Sequence, residues 1–487
     1  MLYHSTRSEA HFVDSAEAVL EGLAPDGGLY MPESIPAFDW QACLRGSSTE
    51  MSAKILAALL PDIPDMDTLV RRAYQGKFET EDLTPTVSVG GYSVLELFRG
   101  PTSAFKDVAL SMLPQLLTAA KAVKGMEKDI LILTATSGDT GKAALEGFHD
   151  VKGTRIIVFY PEGGVSAVQQ AQMATQTGDN VKVCAVRGNF DDAQTGVKQV
   201  FAACQGKDLH GAMLSSANSI NIGRLAPQVV YYFRSYADLV KSGRIRVGDK
   251  VNYVVPTGNF GDILAGYFAK CMGLPVGRLV CASNANDVLT EFISTGRYDR
   301  RRPFYKTTSP SMDILVSSNL ERLLFLLSRD PAYVAELMRQ LREDGVYQLS
   351  DRLLAQLKQD FSCGCCDDKG AADVIGRLWR EQHYLCDPHT AVAWSVAEQL
   401  SEELHDTGAP TVVLSTASPY KFPAAVLSAL GRETGENEFF MMNELCRISG
   451  VPIPRNLAGL EGRPVLHKDV IDKDAMLDYV LAEVLKK

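Results

Sequence analysis

The 487-residue chain has no apolar run long enough to cross a bilayer. Its opening, "MLYHSTRSEAHFVDSAEAVL", lacks the basic-then-apolar order of a secretory leader. It is also short of positive charge. Its 49 Lys and Arg face 59 Asp and Glu, and a net charge of −10 disfavours a nucleic-acid backbone or an anionic membrane as the main partner. The basic run "RYDRRRPF" (297–304) is a local exception and reads as a solvated face. There is no internal repeat and no low-complexity stretch. With 46% hydrophobic and 22% charged residues, the composition excludes a disordered, collagen-like or coiled-coil chain. The expectation is a cytoplasmic globular protein.

Other signatures are incomplete. Ten cysteines are scattered without the paired spacing of a structural zinc site. The one cluster, "CGCC" at Cys363, Cys365 and Cys366, has only His383 and Cys386 nearby and no second pair. No metal is expected, and the cluster reads as reduced thiols in a surface loop. "TATSGDTGKAA" (134–144) ends like a P-loop, but Walker A needs glycine at 136 and Ser or Thr at 143, where this chain has Thr136 and Ala143. "PTGNFGDILAG" (256–266) does not fit G-x-G-x-x-G.

What the chain does have is alternation. The apolar β-branched runs "DILILTAT" (129–136), "TRIIVFYP" (154–161), "VKVCAV" (181–186), "VNYVVPT" (251–257), "RLVCAS" (278–283) and "PTVVLST" (410–416) are separated by helical patterns. Near-continuous apolar strands between helices mean parallel sheets covered on both faces, an α/β architecture. This divides the chain into four parts. Residues 1–85 read as helices and loops, and 86–434 as the core, with a smaller subdomain at about 130–220. A charged helical insertion occupies about 313–385, and a tail, 435–487, packs on the core and ends in a helix.

Ligands of open α/β sheets bind beyond the carboxyl ends of the strands. Three loops lie there. Ser137, Gly138, Asp139, Thr140 and Gly141 place small side chains and free N–H groups before a helix, an anion cradle or a plain helix cap. Gly258, Asn259, Phe260 and Gly261 open another helix and allow close backbone approach to a phosphate, or serve as a simple connector. "LSTASPYKFP" (414–423) offers Ser415, Thr416 and Ser418 as neutral hydroxyls for a ring nitrogen, or as a capped turn.

"GPTSAFKD" (100–107) then puts Lys106 beside Phe105 at the start of a helix, where dipole and desolvation disfavour a cation. That lowers a lysine's pKa and makes its amine nucleophilic, as Schiff-base chemistry requires, although Asp107 pulls the other way. An amine, two anion loops and a hydroxyl loop together suggest pyridoxal phosphate.

These segments resemble a known family. "LFRGPTSAFKD", "TATSGDTGKAA", "PTGNFGDILAGY", "NANDVL" and "LSTASPYKFP" look like the motif series of the threonine synthases, fold-type II pyridoxal-phosphate enzymes of the tryptophan synthase β-like class. "STRS", "EGLAPDGGLYMPESIP" (21–36), "ANSINIGRLAPQ" (217–228) and "DPHTAVAW" (387–394) are similar too. The resemblance implies two parallel-sheet α/β domains with an additional N-terminal segment. It implies that Lys106 holds the cofactor through an imine and that Gly258, Asn259, Phe260, Gly261 and Asp262 bind its phosphate. Thr416 would face the pyridine nitrogen and Asp139 the ring hydroxyl.

Ser137, Gly138, Thr140 and Gly141 would hold the substrate carboxylate. Ser103, Asn218, Asn221 and Arg224 would hold its phosphate. The implied substrate is O-phospho-L-homoserine, converted with water to L-threonine and phosphate by a monomer or homodimer. A related lyase releasing 2-oxobutyrate, ammonia and phosphate is the alternative. The chain departs from the family's common "STAHPAKF" at Ser418 and Tyr420, and from its usual residue before "GPT" at Arg99.

Overall fold

A computed structural model describes residues 1–136, 138–204, 207, 209 and 211–485. Two parallel sheets carry the molecule. The first has six strands, ordered Phe361–Cys365, Val276–Ser283, Val251–Pro256, Thr411–Ser415, Tyr92–Glu96 and Thr86–Val89, with only the last pair antiparallel. The second has five, Asp469–Asp472, Val181–Arg187, Thr154–Pro161, Asp129–Ala135 and Ala212–Ser215, all parallel. All six expected strands form, with ends within two residues of the expected ones. Every residue of Val251–Pro256 and of Thr411–Ser415 is buried, which is why those runs carry no polar alternation.

The expectations failed at the sheet edges. Residues 1–85 are not only helices and loops, because Leu2–Ser5, Ser8–Asp14 and Tyr30–Pro32 make a three-stranded antiparallel sheet. The 313–385 segment is not merely inserted between core elements, since it supplies the edge strand Phe361–Cys365. The "CGCC" cluster begins in that strand and is therefore not a surface loop. The tail likewise contributes Asp469–Asp472 to the five-stranded sheet. Edge strands are covered on one side at most, so they need no apolar run to form.

Lys106 opens the helix Lys106–Val123, whose Val108, Leu110, Met112, Leu113, Leu116 and Leu117 are buried. This helix packs on Asp139–Phe148, on Ile222–Lys241, and on Ser15–Glu21 and Met66–Tyr74 of the N-terminal region. At Gly147 a Cβ would lie 1.9 Å from the Leu110 carbonyl oxygen, so only glycine permits this approach. The lysine helix is thereby fixed against the helix that follows the first loop. Among the described residues, no helix is long and apolar enough to cross a membrane.

Candidate active site

Two loops more than three hundred residues apart in sequence form the floor of the site. Ala104 bridges Ala417, Phe105 N–H donates to the Thr416 carbonyl at 2.8 Å, and Ser418 N–H donates to the Ser103 carbonyl at 3.1 Å. Lys106 thus emerges directly beside the end of strand Thr411–Ser415. Ser103 and Phe260 both have left-handed backbone, φ 61° and 63°. Such strain in non-glycine residues collects at functional sites.

The Lys106 amine donates to Ser311 Oγ at 3.3 Å, with the Phe105 ring 5.6 Å away. Burial pushes its pKa below the usual lysine range; Asp139 opposes this, while Lys421 and Arg224 add to it. Asp107 does not pull on the amine as its adjacency in sequence suggested. Its carboxyl turns back onto the loop, accepting from Thr102 N–H at 2.9 Å and from the Thr102 hydroxyl, and burial raises its pKa to about 6. The carboxylates that act on Lys106 are Asp139 and Asp262.

Asp139 is buried against Lys421, whose Nζ lies 2.6 Å away, and accepts from Gln169 Nε2 at 3.0 Å. Burial raises its pKa, but Lys421 and Lys106 win and hold it well below the carboxylate range. Lys421, fully buried, also donates to the Thr102 carbonyl at 3.2 Å. Replacing Lys421 with methionine should leave Asp139 buried without its cation and cost about 3–5 kcal/mol. The double variant Lys421→Met/Asp139→Leu should recover most of that loss. Urea unfolding checks both, and an unaltered midpoint in the single variant would contradict the pairing. Because the Asp139 pKa is depressed, the pair's contribution is present above the unfolded aspartate pKa, near 4, and fades as pH falls below it.

Arg224 is buried, with no carboxylate partner among the described residues. It donates from one terminal nitrogen to the Ala217 carbonyl, its Nε has no partner, and burial pushes the guanidinium down to about 10. A buried arginine in this state has donor capacity left for an anion. Asn221 also has a structural role. Its Oδ1 caps the helix Ile222–Lys241 through Gly223 N–H at 2.8 Å, and its Nδ2 donates to the Val19 carbonyl at 2.9 Å. One N–H and one lone pair of the amide remain beyond these two bonds. Asn218 is exposed and closes its own turn on Ile220 N–H, and Ser103 donates to Asn456 Oδ1 at 3.0 Å.

In the first loop, Gly138 N–H and Gly141 N–H both donate to Thr136 Oγ1, at 3.0 and 2.9 Å. A buried threonine within the loop thus satisfies two of the amides expected to hold a substrate carboxylate. Thr140 is half-buried at the start of the helix Asp139–Phe148, and Ser137 lies outside the described residues.

The second loop fits a phosphate. Phe260 in its left-handed conformation starts the helix Gly261–Cys271, whose Ile263 N–H is taken by Asp262 Oδ1 at 2.9 Å, leaving the N–H groups of Gly261 and Asp262 to face an anion. Gly258 packs where a Cβ would meet the Ser311 carbonyl oxygen at 2.4 Å, and the Asn259 carbonyl is held by Asn319 N–H at 3.0 Å. Burial raises the Asp262 carboxyl pKa to about 7, so its charged form is disfavoured even before a phosphate is near. A buried amine of lowered pKa, a helix start free for an anion and the buried Thr416 beside the Lys106 loop form a set that suits pyridoxal phosphate.

Sequence reasoning missed Ser311, His389, Lys421 and Arg322. Arg322, fully buried, donates to the carbonyls of Tyr30 and Ile220 and to Asn319 Oδ1, tying the N-terminal region to the loop before Arg224. Arg7 and Thr6 fasten the same region through Glu321, with Arg7 bidentate at 2.8 Å on each oxygen. A cation inside an otherwise apolar run, as in "SPYKFP", was the available signal for Lys421.

Tyr420, one departure from the family pattern, donates to the Val451 carbonyl and so anchors the C-terminal segment. Arg99, the other, pairs with Glu96 and Glu79. Ser418 caps the short helix Pro419–Lys421.

Comparison with known proteins agrees with this geometry. The family models for the threonine synthase N terminus, the pyridoxal-phosphate dependent enzymes and the threonine synthase C-terminal region match residues 2–74, 81–417 and 390–480. The chain is 38% identical to threonine synthase of Saccharomyces cerevisiae, over 88% of this chain and 89% of that one. It is 38% identical to human threonine synthase-like 1 over 88% of this chain, but spans only 60% of that protein's length. The structure superposes on a pyridoxal-phosphate-bound threonine synthase from Brucella melitensis with a TM-score of 0.88 at 39% identity, covering 99% of this chain and 98% of the other. The fold is that of a fold-type II pyridoxal-phosphate enzyme, and the chain belongs to the threonine synthase family.

Proposed function

We propose that the protein converts O-phospho-L-homoserine and water to L-threonine and phosphate, as a cytoplasmic monomer or homodimer. The observation that carries this reading is the buried Arg224 guanidinium, unpaired at Nε and close enough to Lys106 to depress its pKa. The helix start at Gly261 provides for the cofactor's phosphate, so a second buried cation implies a second anion. A substrate phosphate is the anion the reading requires.

Pyridoxal phosphate, when bound, supplies the electron sink that makes a proton α to the amino group removable. The other steps fall to this chain. The Lys106 amine, its pKa lowered by burial, takes the proton from Cα and moves protons at Cβ and Cγ. Arg224 holds the phosphate as its bond to Cγ breaks, its charge little screened in the buried site. Thr416, a neutral hydroxyl in place of a carboxylate, would face the ring nitrogen without forcing its protonation. Asp139, fixed by Lys421 and Gln169, stays ionised and would face the ring hydroxyl.

The test is incubation of the purified protein with O-phospho-L-homoserine, measuring threonine, 2-oxobutyrate and phosphate. Threonine and phosphate in equal amounts are expected. Predominant 2-oxobutyrate with ammonia would replace the synthase reading with that of a lyase, in which water fails to capture Cβ.

A further inference from the structure

Ser311 has no part in the reaction as described, yet three anchors converge on it. It lies in the short helix Pro310–Met312, and its Oγ accepts from Lys106 Nζ at 3.3 Å. Its backbone N–H donates to His389 Nε2 at 3.1 Å, while His389 Nδ1 lies 2.6 Å from Asp387 Oδ2. An Nε2 that accepts from an amide carries no proton, so the imidazole proton sits on Nδ1, facing Asp387. Both ring nitrogens are then occupied, and His389 has no free nitrogen for proton transfer to substrate. From the other side, Asn284 and Asn286 donate to Asp313 Oδ1 at 2.8 and 3.0 Å, and Thr307 N–H donates to Asp313 Oδ2 at 3.1 Å. The third anchor is Gly258, against which the Ser311 carbonyl is packed.

We propose that Ser311 orients the free amine of Lys106, and that the Asp387–His389 pair positions Ser311 by gripping its backbone N–H. A hydroxyl that accepts one amine N–H turns the nitrogen lone pair away from itself. Ser311 and His389 are positioning residues. The proposal rests on Lys106 being the cofactor lysine.

The charged groups facing this amine are Asp139, Lys421, Arg224 and Asp262, from four separate elements. None is removed by changing Ser311, so a pH effect of that change reports the hydroxyl itself. An acceptor favours the ammonium form, and losing it should lower the lysine pKa further.

The experiment strips the full-length protein of cofactor and follows, by absorbance, the rate at which added pyridoxal phosphate bonds to it between pH 6 and 10, without substrate. Only the neutral amine reacts, so the midpoint of the rate profile reports Lys106. In Ser311→Ala the midpoint should fall by about half a pH unit, whereas Ser311→Thr should keep the wild-type midpoint. Asp387→Asn lets an amide donate to Nδ1 and drives the proton to Nε2, where it opposes the Ser311 N–H. It should move the midpoint in the same direction; Oδ1 can still accept from Thr390 N–H, although the His389 N–H loses its acceptor.

Identical midpoints in wild type and Ser311→Ala would overturn the proposal, as would a Ser311→Thr that shifts as far as Ser311→Ala. Failure of the wild-type protein to bond the cofactor at all would instead overturn the assignment of Lys106.

Discussion

Arg224→Met is expected to lower kcat/KM for O-phospho-L-homoserine by about a hundredfold while leaving the protein as stable as before or more so. The two halves of that expectation have one cause. Burying a guanidinium with an unpartnered Nε costs free energy in the substrate-free protein, and the substrate phosphate offsets this cost on binding. An apolar side chain of similar length removes the cost and the receptor together. Arg224 also helps to depress the Lys106 pKa, so its removal should raise that pKa and move the acid limb of activity to higher pH. Steady-state kinetics over pH and urea unfolding of the same variant are the measurements. A variant that is markedly destabilised yet keeps its kcat/KM would make Arg224 an ordinary structural residue.

Lys106→Ala should be colourless and lose at least about a thousandfold in kcat, because one side chain both holds the cofactor and moves the protons. Its stability should change little or rise, since burial disfavours the charged form of the amine that is removed. Two other buried lysines provide an internal contrast. Lys142 donates to Glu146 and Gln176, and Lys421 pairs with Asp139, so each amine already has a carboxylate partner. Activity that survives Lys106→Ala at the wild-type rate would mean that one of these carries the cofactor.

The parts legible in the sequence share a physical reason. Val251–Pro256 and Thr411–Ser415 are covered on both faces, so burial wrote an apolar run into each, and their ends located the ligand loops. Lys106 stood out because a cation at a helix start conflicts with local electrostatics. Edge strands left no such mark. Asp469–Asp472 has only Val470 and Ile471 as apolar residues, and no position of it is buried.

Contacts that depend on side-chain direction were equally hidden. Asp107 is adjacent to Lys106 in sequence but serves the Thr102 turn, while Asp139, thirty-three positions away by number, supplies the carboxylate that acts on the amine. Asn221 reads as a polar residue in a ligand loop, and only its register at the helix start shows that it is a cap. His389 and Ser311 meet across seventy-eight positions through a backbone N–H, which no pattern of side-chain types encodes.

The claim on which everything else rests is that the cofactor is bonded to Lys106. Reduction of the cofactor-loaded protein with borohydride, followed by proteolysis and mass spectrometry, tests it directly. The account predicts a stable pyridoxyl adduct on the peptide containing Lys106 and on no other. An adduct on Lys421 or Lys142, or none at all, would contradict it.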